Sequence, residues 1–436
     1  MTAPANGGPF SLKLYAALTG LAEPLAPSAL RGRVRKGKED PARLGERLGH
    51  ASSARPAGKL AWLHGASVGE SLSLLPLVEA IRAGRPDAAV LVTSGTRTSA
   101  DLLAQRLPRG VIHQYLPIDA PGPARRFIEH WRPDLGVFVE SELWPNLLLA
   151  ARTGGVRMAL LSAKLSDSSY RNWRAMPGAA RALLSGFTLI LAQDGRAANR
   201  FESLGVTIGG TADLKFGSEA LPVDDAALAA LRGRIGGRAV LLAASTHTGE
   251  DQMILRRFAP LVSVHDPSAR DGAGLAPQLV IVPRHPERGP AIAAAAAAQG
   301  FTTARQGAGE AAGATQVYVA DVMGEIGLWF RLARIAVMGG SLVQGVGGHN
   351  PLEPARLGCP VASGPYVDNW ASAYRALELA EGVARISEAE GLETVLRRAA
   401  MGDTALTDMA ARARTLVERR DAEARGVAGR ILALLP

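Results

Sequence analysis

The sequence predicts an α/β protein made of two successive doubly wound parallel-sheet domains, and three observations predict it. From residue 60 onward, short apolar runs alternate with helical segments, and runs that are apolar throughout belong to strands covered on both faces. Around 209–225 the alternation is interrupted by Gly209, Gly210, Pro222, Asp224 and Asp225, and then it resumes. The length of 436 residues is also long for a single core. The expected division is a basic and apolar segment at 1–50, a first domain at 51–220, a second at 221–403, and a C-terminal helix at 404–436 that packs back on the first domain.

The first half places strands at 60–64, 89–93, 111–116, 135–139, 156–162 and 188–192. Helices are expected between most of them, at 71–83, 98–107, 123–131 and 196–204. The second half places strands at 239–244, 278–282, 317–320, 335–338, 360–362 and 383–386. The alanine-rich run at 291–298 reads as an exposed helix, and 404–434 as an amphipathic one.

Composition narrows the function classes. Hydrophobic residues make up 47% and charged residues 20%, as in an ordinary soluble globular protein. One cysteine, Cys359, excludes an internal disulfide and a cysteine-rich metal site, and its apolar setting reads as a small buried hydrophobe. The net charge of +9 calls for an anionic partner, yet aromatics are only 5% and no nucleic-acid recognition motif is present. Residues 10–25 carry Leu12, Leu14, Tyr15, Leu18, Leu21 and Leu25, but Lys13, Glu23 and Pro24 interrupt them, so the stretch cannot span a bilayer. It shows no signal-peptide cleavage pattern. Arg31, Arg33, Arg35, Lys36, Lys38, Arg43 and Arg47 follow it. An apolar helix before a basic cluster suits a peripheral anchor on an anionic membrane surface; the competing reading is a packing helix beside a solvated charged face.

In open parallel sheets, ligands bind beyond the carboxyl ends of the strands. The polar residues of note fall there in both halves, which points to one cleft between the domains. Gly65 and Gly69 permit a sharp turn that leaves Glu70 near a helix start, where it is a candidate general base or simply a complement to the helix dipole. Glu140 ends an apolar strand, and Glu142, in the following turn, reads as a helix cap. Without a nearby histidine or aspartate, a metal at this pair is disfavoured. Lys215 lies in the interdomain region, where an ordinary surface lysine is the alternative. Pro283 and Pro286 stiffen the turn that presents Arg284, a good phosphate ligand, and residues 245–250 offer hydroxyls and N–H groups to an anion. At 339–361 a glycine-rich loop leads into a short helix with Pro351 at its first position. Glu353 there could accept hydrogen bonds from a ribose diol, although such loops are often only tight turns. One base, one nucleotide cradle and several cations amount to a specification for glycosyl transfer from a nucleotide sugar.

As a set, these motifs resemble those of the 3-deoxy-D-manno-octulosonic acid (Kdo) transferases that act on the lipid A precursor. The matching stretches are His-Gly-Ala-Ser-Val-Gly-Glu (64–70), Glu-Ser-Glu-Leu-Trp-Pro-Asn (140–146), Ser-Thr-His-Thr-Gly-Glu (245–250), Pro-Arg-His-Pro-Glu-Arg (283–288), Met-Gly-Glu (323–325) and Gly-Gly-His-Asn-Pro-Leu-Glu (347–353). The resemblance implies a GT-B fold of two Rossmann-like domains facing an interdomain cleft, CMP-Kdo as donor, inversion at the sugar carbon, and no required metal or other cofactor. It implies Glu70 as the base, with Glu140 and Lys215 stabilising the transition state. Pro283, Arg284, Met323, Gly324, Glu325, Asn350, Pro351, Leu352 and Glu353 would bind CMP. The implied partners are CMP-Kdo, the lipid A precursor and an anionic membrane surface, with no nucleic acid, and the implied location is the cytoplasmic face of the inner membrane. Two alternatives stay open: another GT-B enzyme using a UDP-sugar, as transferase or epimerase, and a non-catalytic basic protein binding nucleic acid or membrane. Competition between CMP and UDP separates the first, and salt-dependent DNA binding without CMP affinity would mark the second.

Overall fold

The computed structural model describes residues 9–217, 221–263, 276–387 and 389–436. The chain divides into two compact units, one formed by Met1–Ser218 with Arg420–Pro436 and the other by Glu219–Arg419.

The first unit is built on a six-stranded parallel sheet: β1 (Lys59–His64), β2 (Ala88–Ser94), β3 (Ile112–Tyr115), β4 (Leu135–Val139), β5 (Arg157–Ala163) and β6 (Phe187–Ala192). Their order, β3-β2-β1-β4-β5-β6, is that of a dinucleotide-binding Rossmann sheet, with the topological switch between β1 and β4. Successive β1 residues point to opposite faces, so Leu60 and Trp62 enter one core with Phe127, Trp131 and Phe138, while Ala61 and Leu63 enter another with Leu77, Val78 and Ile81. Covering both faces is what makes the strands apolar throughout. The helix expected at 71–83 is two helices, Val68–Ser73 and Leu75–Gly84. Pro76 cannot donate to the preceding turn and so starts a new helix instead of continuing the old one.

The second unit carries a seven-stranded sheet, all of whose pairings are parallel: β7 (Val240–Thr246), β8 (Gln278–Pro283), β9 (Thr303–Arg305), β10 (Val317–Val319), β11 (Ala333–Met338), β12 (Val361–Ser363) and β13 (Ala384–Arg385). The order is β13-β12-β11-β7-β8-β10-β9. β9 was not expected; it is a three-residue edge strand with only Ala304 buried, too short to show a pattern. The alanine-rich helix, Gly289–Ala298, is not simply exposed, because Ile292 and Ala296 pack into the core beneath it. The C-terminal helix Thr404–Leu434 is shared between the units. Leu406 and Met409 enter the second unit's core, whereas Val427 and Ile431 enter the first's.

Near the N-terminus, residues 10–25 form the helix Phe10–Ala22 and a short 3-10 turn, followed by the helix Ala26–Arg35. Leu12 is buried and Tyr15 donates to Asp119, so one side is docked on the first unit. Phe10, Leu18, Leu21 and Leu25 remain more than half exposed. Among the described residues, no helix is long and apolar enough to cross a membrane. Arg43 and Arg47 leave the expected basic cluster: Arg43 binds Glu46 and the His113 carbonyl, and Arg47 binds the Leu116 carbonyl beside Glu39. Both neutralise buried carboxylates of the fold.

Candidate active site

In the first unit, the turn after β1 brings Glu70 to the start of the helix Val68–Ser73. Ser67 caps that helix through the Glu70 N–H, and the Ser67 hydroxyl donates to Glu70 Oε1 at 2.7 Å. The Ala66 N–H donates to Oε2 at 2.8 Å. This is a reciprocal capping arrangement, so the carboxylate is fixed in place as well as complementing the helix dipole. Gly65 makes it possible, since a Cβ there would lie 2.9 Å from the Glu70 carbonyl carbon. Burial raises the Glu70 pKa, and the charges of Glu140 and Glu142 push it in the same direction, against the two hydrogen bonds. A carboxylate with raised basicity that is held still is suited to accepting a proton from a hydroxyl.

Glu140 follows β4 with a backbone φ of +63°, a left-handed conformation costing roughly 1–3 kcal/mol in a residue other than glycine. Its N–H donates to the Leu161 carbonyl, which holds the turn. The carboxylate meets Lys215 Nζ at 3.0 Å and Lys164 Nζ at 2.5 Å. Desolvation alone would raise the Glu140 pKa, but the two ammonium groups outweigh it and the net shift is downward. Burial likewise opposes the charge on Lys215, and Glu140, with Asp213 and Glu70, turns its net shift upward. The lysine is therefore no ordinary surface residue. Its loop is tied to the end of β5, where Ser162 Oγ accepts the Leu214 N–H. Glu70, Glu140 and Lys215 thus form one electrostatic cluster at the carboxyl ends of β1 and β4.

One expectation fails here. Glu142 is not a helix cap; its Oε2 lies 3.0 Å from His64 Nε2 and accepts the Trp144 indole N–H. The N-terminus of the helix Pro145–Thr153 is capped by Asp119, which accepts from the Asn146 and Leu147 N–H groups. Lys164 was not foreseen, although it follows β5 just as the other polar residues follow their strands, and that signal would have found it.

In the second unit, the remaining candidates sit beyond β8, β10 and β11. Pro283 ends β8, and the Arg284 N–H donates to the Thr246 carbonyl while its side chain stands exposed. Met323 and Gly324 form a turn, with Met323 largely exposed. Glu325 precedes the helix Ile326–Leu332 and accepts from Gln306 at 2.6 Å. Asn350 Nδ2 donates to Glu353 Oε1 at 3.2 Å, and Asn350 Oδ1 accepts the Leu352 N–H. Burial raises the Glu353 pKa, opposed by Asn350 and by the charges of Arg284 and Arg356. Asn350 and the charge of Arg284 therefore both act on Glu353.

The helix here is only Leu352–Arg356, and Pro351 is its cap residue, not its first turn. A five-residue helix has little macrodipole to offer an anion. Among the described residues, no group of three or more histidine, cysteine or carboxylate side chains is placed to hold a metal ion.

With this geometry in place, similarities to known proteins bear on identity. The family model for 3-deoxy-D-manno-octulosonic-acid transferase (kdotransferase) matches residues 42–218. A probable mitochondrial 3-deoxy-D-manno-octulosonic acid transferase of Arabidopsis thaliana is 33% identical over 86% of this chain and 84% of its own length. The 3-deoxy-D-manno-octulosonic acid transferase of Bordetella pertussis is 36% identical over 76% of this chain and 77% of its own. Among solved structures, a glycosyltransferase from Rickettsia africae superposes with a TM-score of 0.54 at 10% identity, covering 86% of this chain and 99% of that one. That likeness concerns the fold alone, which is GT-B with two Rossmann-like parallel-sheet domains. On this identity and coverage, the chain belongs to the 3-deoxy-D-manno-octulosonic acid transferase family of glycosyltransferases.

Proposed function

We propose that this enzyme moves Kdo from CMP-Kdo to a sugar hydroxyl of the lipid A precursor, with inversion, using Glu70 as general base and no metal or other cofactor. The observation that carries the reading is the Glu70 carboxylate, which is buried, hydrogen-bonded at both oxygens and raised in pKa beside the Glu140–Lys215 pair. Glu70 takes the hydroxyl proton while the acceptor oxygen bonds to the anomeric carbon. The bond from that carbon to the phosphate oxygen breaks, and its electron pair leaves with CMP. Glu140 and Lys215 stabilise the charge that develops on the transferring sugar and acceptor. Pro283, Arg284, Met323, Gly324, Glu325, Asn350, Pro351, Leu352 and Glu353 hold CMP, with Arg284 on the phosphate and Glu353 on the ribose diol. The exposed apolar face carrying Phe10, Leu18 and Leu21, with the basic Arg31, Arg35 and Lys36 after it, attaches the enzyme peripherally to the anionic cytoplasmic face of the inner membrane.

Purified protein given CMP-Kdo and tetra-acylated lipid A precursor releases CMP and yields a Kdo-bearing lipid, read by mass spectrometry, which also counts the residues added. Glu70→Ala abolishes turnover and leaves CMP binding largely intact. Turnover near the wild-type level in that variant rejects Glu70 as the base. Competition of UDP equal to that of CMP rejects the donor.

A further inference from the structure

Glu250 opens the helix Glu250–Ser263 and is fully buried. Burying a carboxylate is costly unless every lone pair finds a donor. Here the donors are backbone N–H groups of two different strand-end loops. Oε2 accepts the His247 N–H at 2.9 Å, from the turn after β7, and the Gly340 N–H at 2.8 Å, from the glycine-rich loop after β11. Oε1 accepts the Leu342 N–H at 2.9 Å, from the same glycine-rich loop.

The two loops are also fitted to each other at close quarters. A Cβ on Gly339 would stand 2.2 Å from the Ser245 carbonyl oxygen, so only glycine lets the backbones approach this far. At the far end of the glycine-rich loop, His349 Nε2 lies 2.8 Å from His247 Nε2, and the Tyr374 hydroxyl donates to the His349 carbonyl. The loop is therefore anchored at 340–342 and again at 349, immediately before Asn350 and Glu353. Arg288 donates to the Thr246 carbonyl, and Arg284, whose N–H binds the same carbonyl, is thereby tied to the β7 turn as well.

The geometry points to Glu250 as a positioning residue of the donor site, a clamp that holds the glycine-rich loop against the β7 turn so that Asn350, Glu353 and Arg284 meet the nucleotide in one arrangement. It acts through backbone N–H groups and touches no substrate. Preorganising a loop in this way removes an ordering cost from binding. The inference rests on the reading of 350–353 as donor-binding.

The test uses the full chain with Glu250→Gln and Glu250→Asp. Glutamine keeps the size but turns an N–H₂ toward one set of donors; aspartate keeps the charge but is too short to reach both loops. CMP titration measures binding, hydrogen exchange follows the Gly340 and Leu342 amides, and turnover separates KM for CMP-Kdo from kcat. Losing part of a charge-assisted set of buried hydrogen bonds, both variants bind CMP about tenfold or more weakly. Their two amides exchange faster than those of β7 and β8, and KM rises more than kcat falls. CMP affinity within about twofold of wild type in a folded variant overturns the clamp. So does failure of both variants to fold at 25 °C, which would make Glu250 a residue of the core. If the wild-type protein binds no CMP, the donor reading fails instead, and selective exchange at Gly340 and Leu342 alone decides whether Glu250 clamps the loop.

Discussion

Replacing Glu140 by glutamine removes one negative charge while keeping shape, and the surroundings of the carboxylate determine the cost. Lys215 Nζ is 3.0 Å away, and the Lys215 and Glu140 side chains are only 13% and 8% exposed. Removing one partner of a buried pair leaves the other charge desolvated, at a cost of about 3 kcal/mol. Lys164 adds less, because at 39% exposed it can turn to water. For a folding unit of this size, the loss corresponds to a fall in Tm of roughly 6–12 °C. The pH dependence is diagnostic. The Glu140 pKa lies below its ordinary 4.5, so its contribution is present above that value and is lost as pH falls through the folded-state pKa. The Lys215 pKa lies above its ordinary 10.5, so its contribution is complete below that value and is lost as pH rises through the raised one. Thermal unfolding followed by circular dichroism shows the full gap between wild type and Glu140→Gln at pH 7, and the gap closes in acid once the wild-type carboxylate is protonated. With Glu140 in its proposed transition-state role, CMP release by the variant falls by about a hundredfold or more. A Tm within about 2 °C of wild type at pH 7, or a gap of equal size at both pH values, refutes the reasoning.

Two further outcomes rest on the same geometry. A general base must be ionised to work and the Glu70 pKa is raised, so with Glu70 in the proposed role turnover climbs with pH through an apparent pKa above the ordinary 4.5. Glu142→Gln deletes one of the like charges responsible and moves that acidic limb to lower pH; a limb that stays put shows that Glu142 does not act on the base. The Leu18 and Leu21 side chains are 57% and 79% exposed, so Leu18→Glu with Leu21→Glu leaves Tm and turnover on detergent-dispersed acceptor unchanged. The same pair weakens co-sedimentation with anionic phospholipid vesicles by about tenfold or more, and undiminished sedimentation removes this face from the membrane contact.

Much of the architecture was legible because parallel strands covered on both faces must be apolar along their whole length. β1, with Leu60 through Leu63 all buried, announces itself in the sequence. β9 does not, since a three-residue edge strand needs little burial to pair. The break between Ser73 and Leu75 is caused by Pro76, a local effect that periodicity alone passes over. Glu142 illustrates a different failure. A carboxylate just before a helix reads as a cap, yet Asp119, 28 positions before Leu147, takes that role. Arg47 fails in a related manner, because the fold brings Glu39 back to it, whereas Arg43 reaches Glu46 only three positions along the chain; both pairings remove an arginine from the basic surface.

The order of elements, the strand-end placement of Glu70, Glu140, Arg284 and Glu353, and the glycines that shape their turns were determined by the sequence itself. Those properties depend on local backbone sterics and on hydrophobic period. The state of each group was decided by tertiary structure alone. Burial and the neighbouring Glu140 raise Glu70, two lysines from separate loops hold Glu140 charged, and Glu250 gathers N–H groups from positions 247, 340 and 342. Electrostatic energies depend on distance and solvent access, and neither is written in the chain until residues far apart in sequence are packed together.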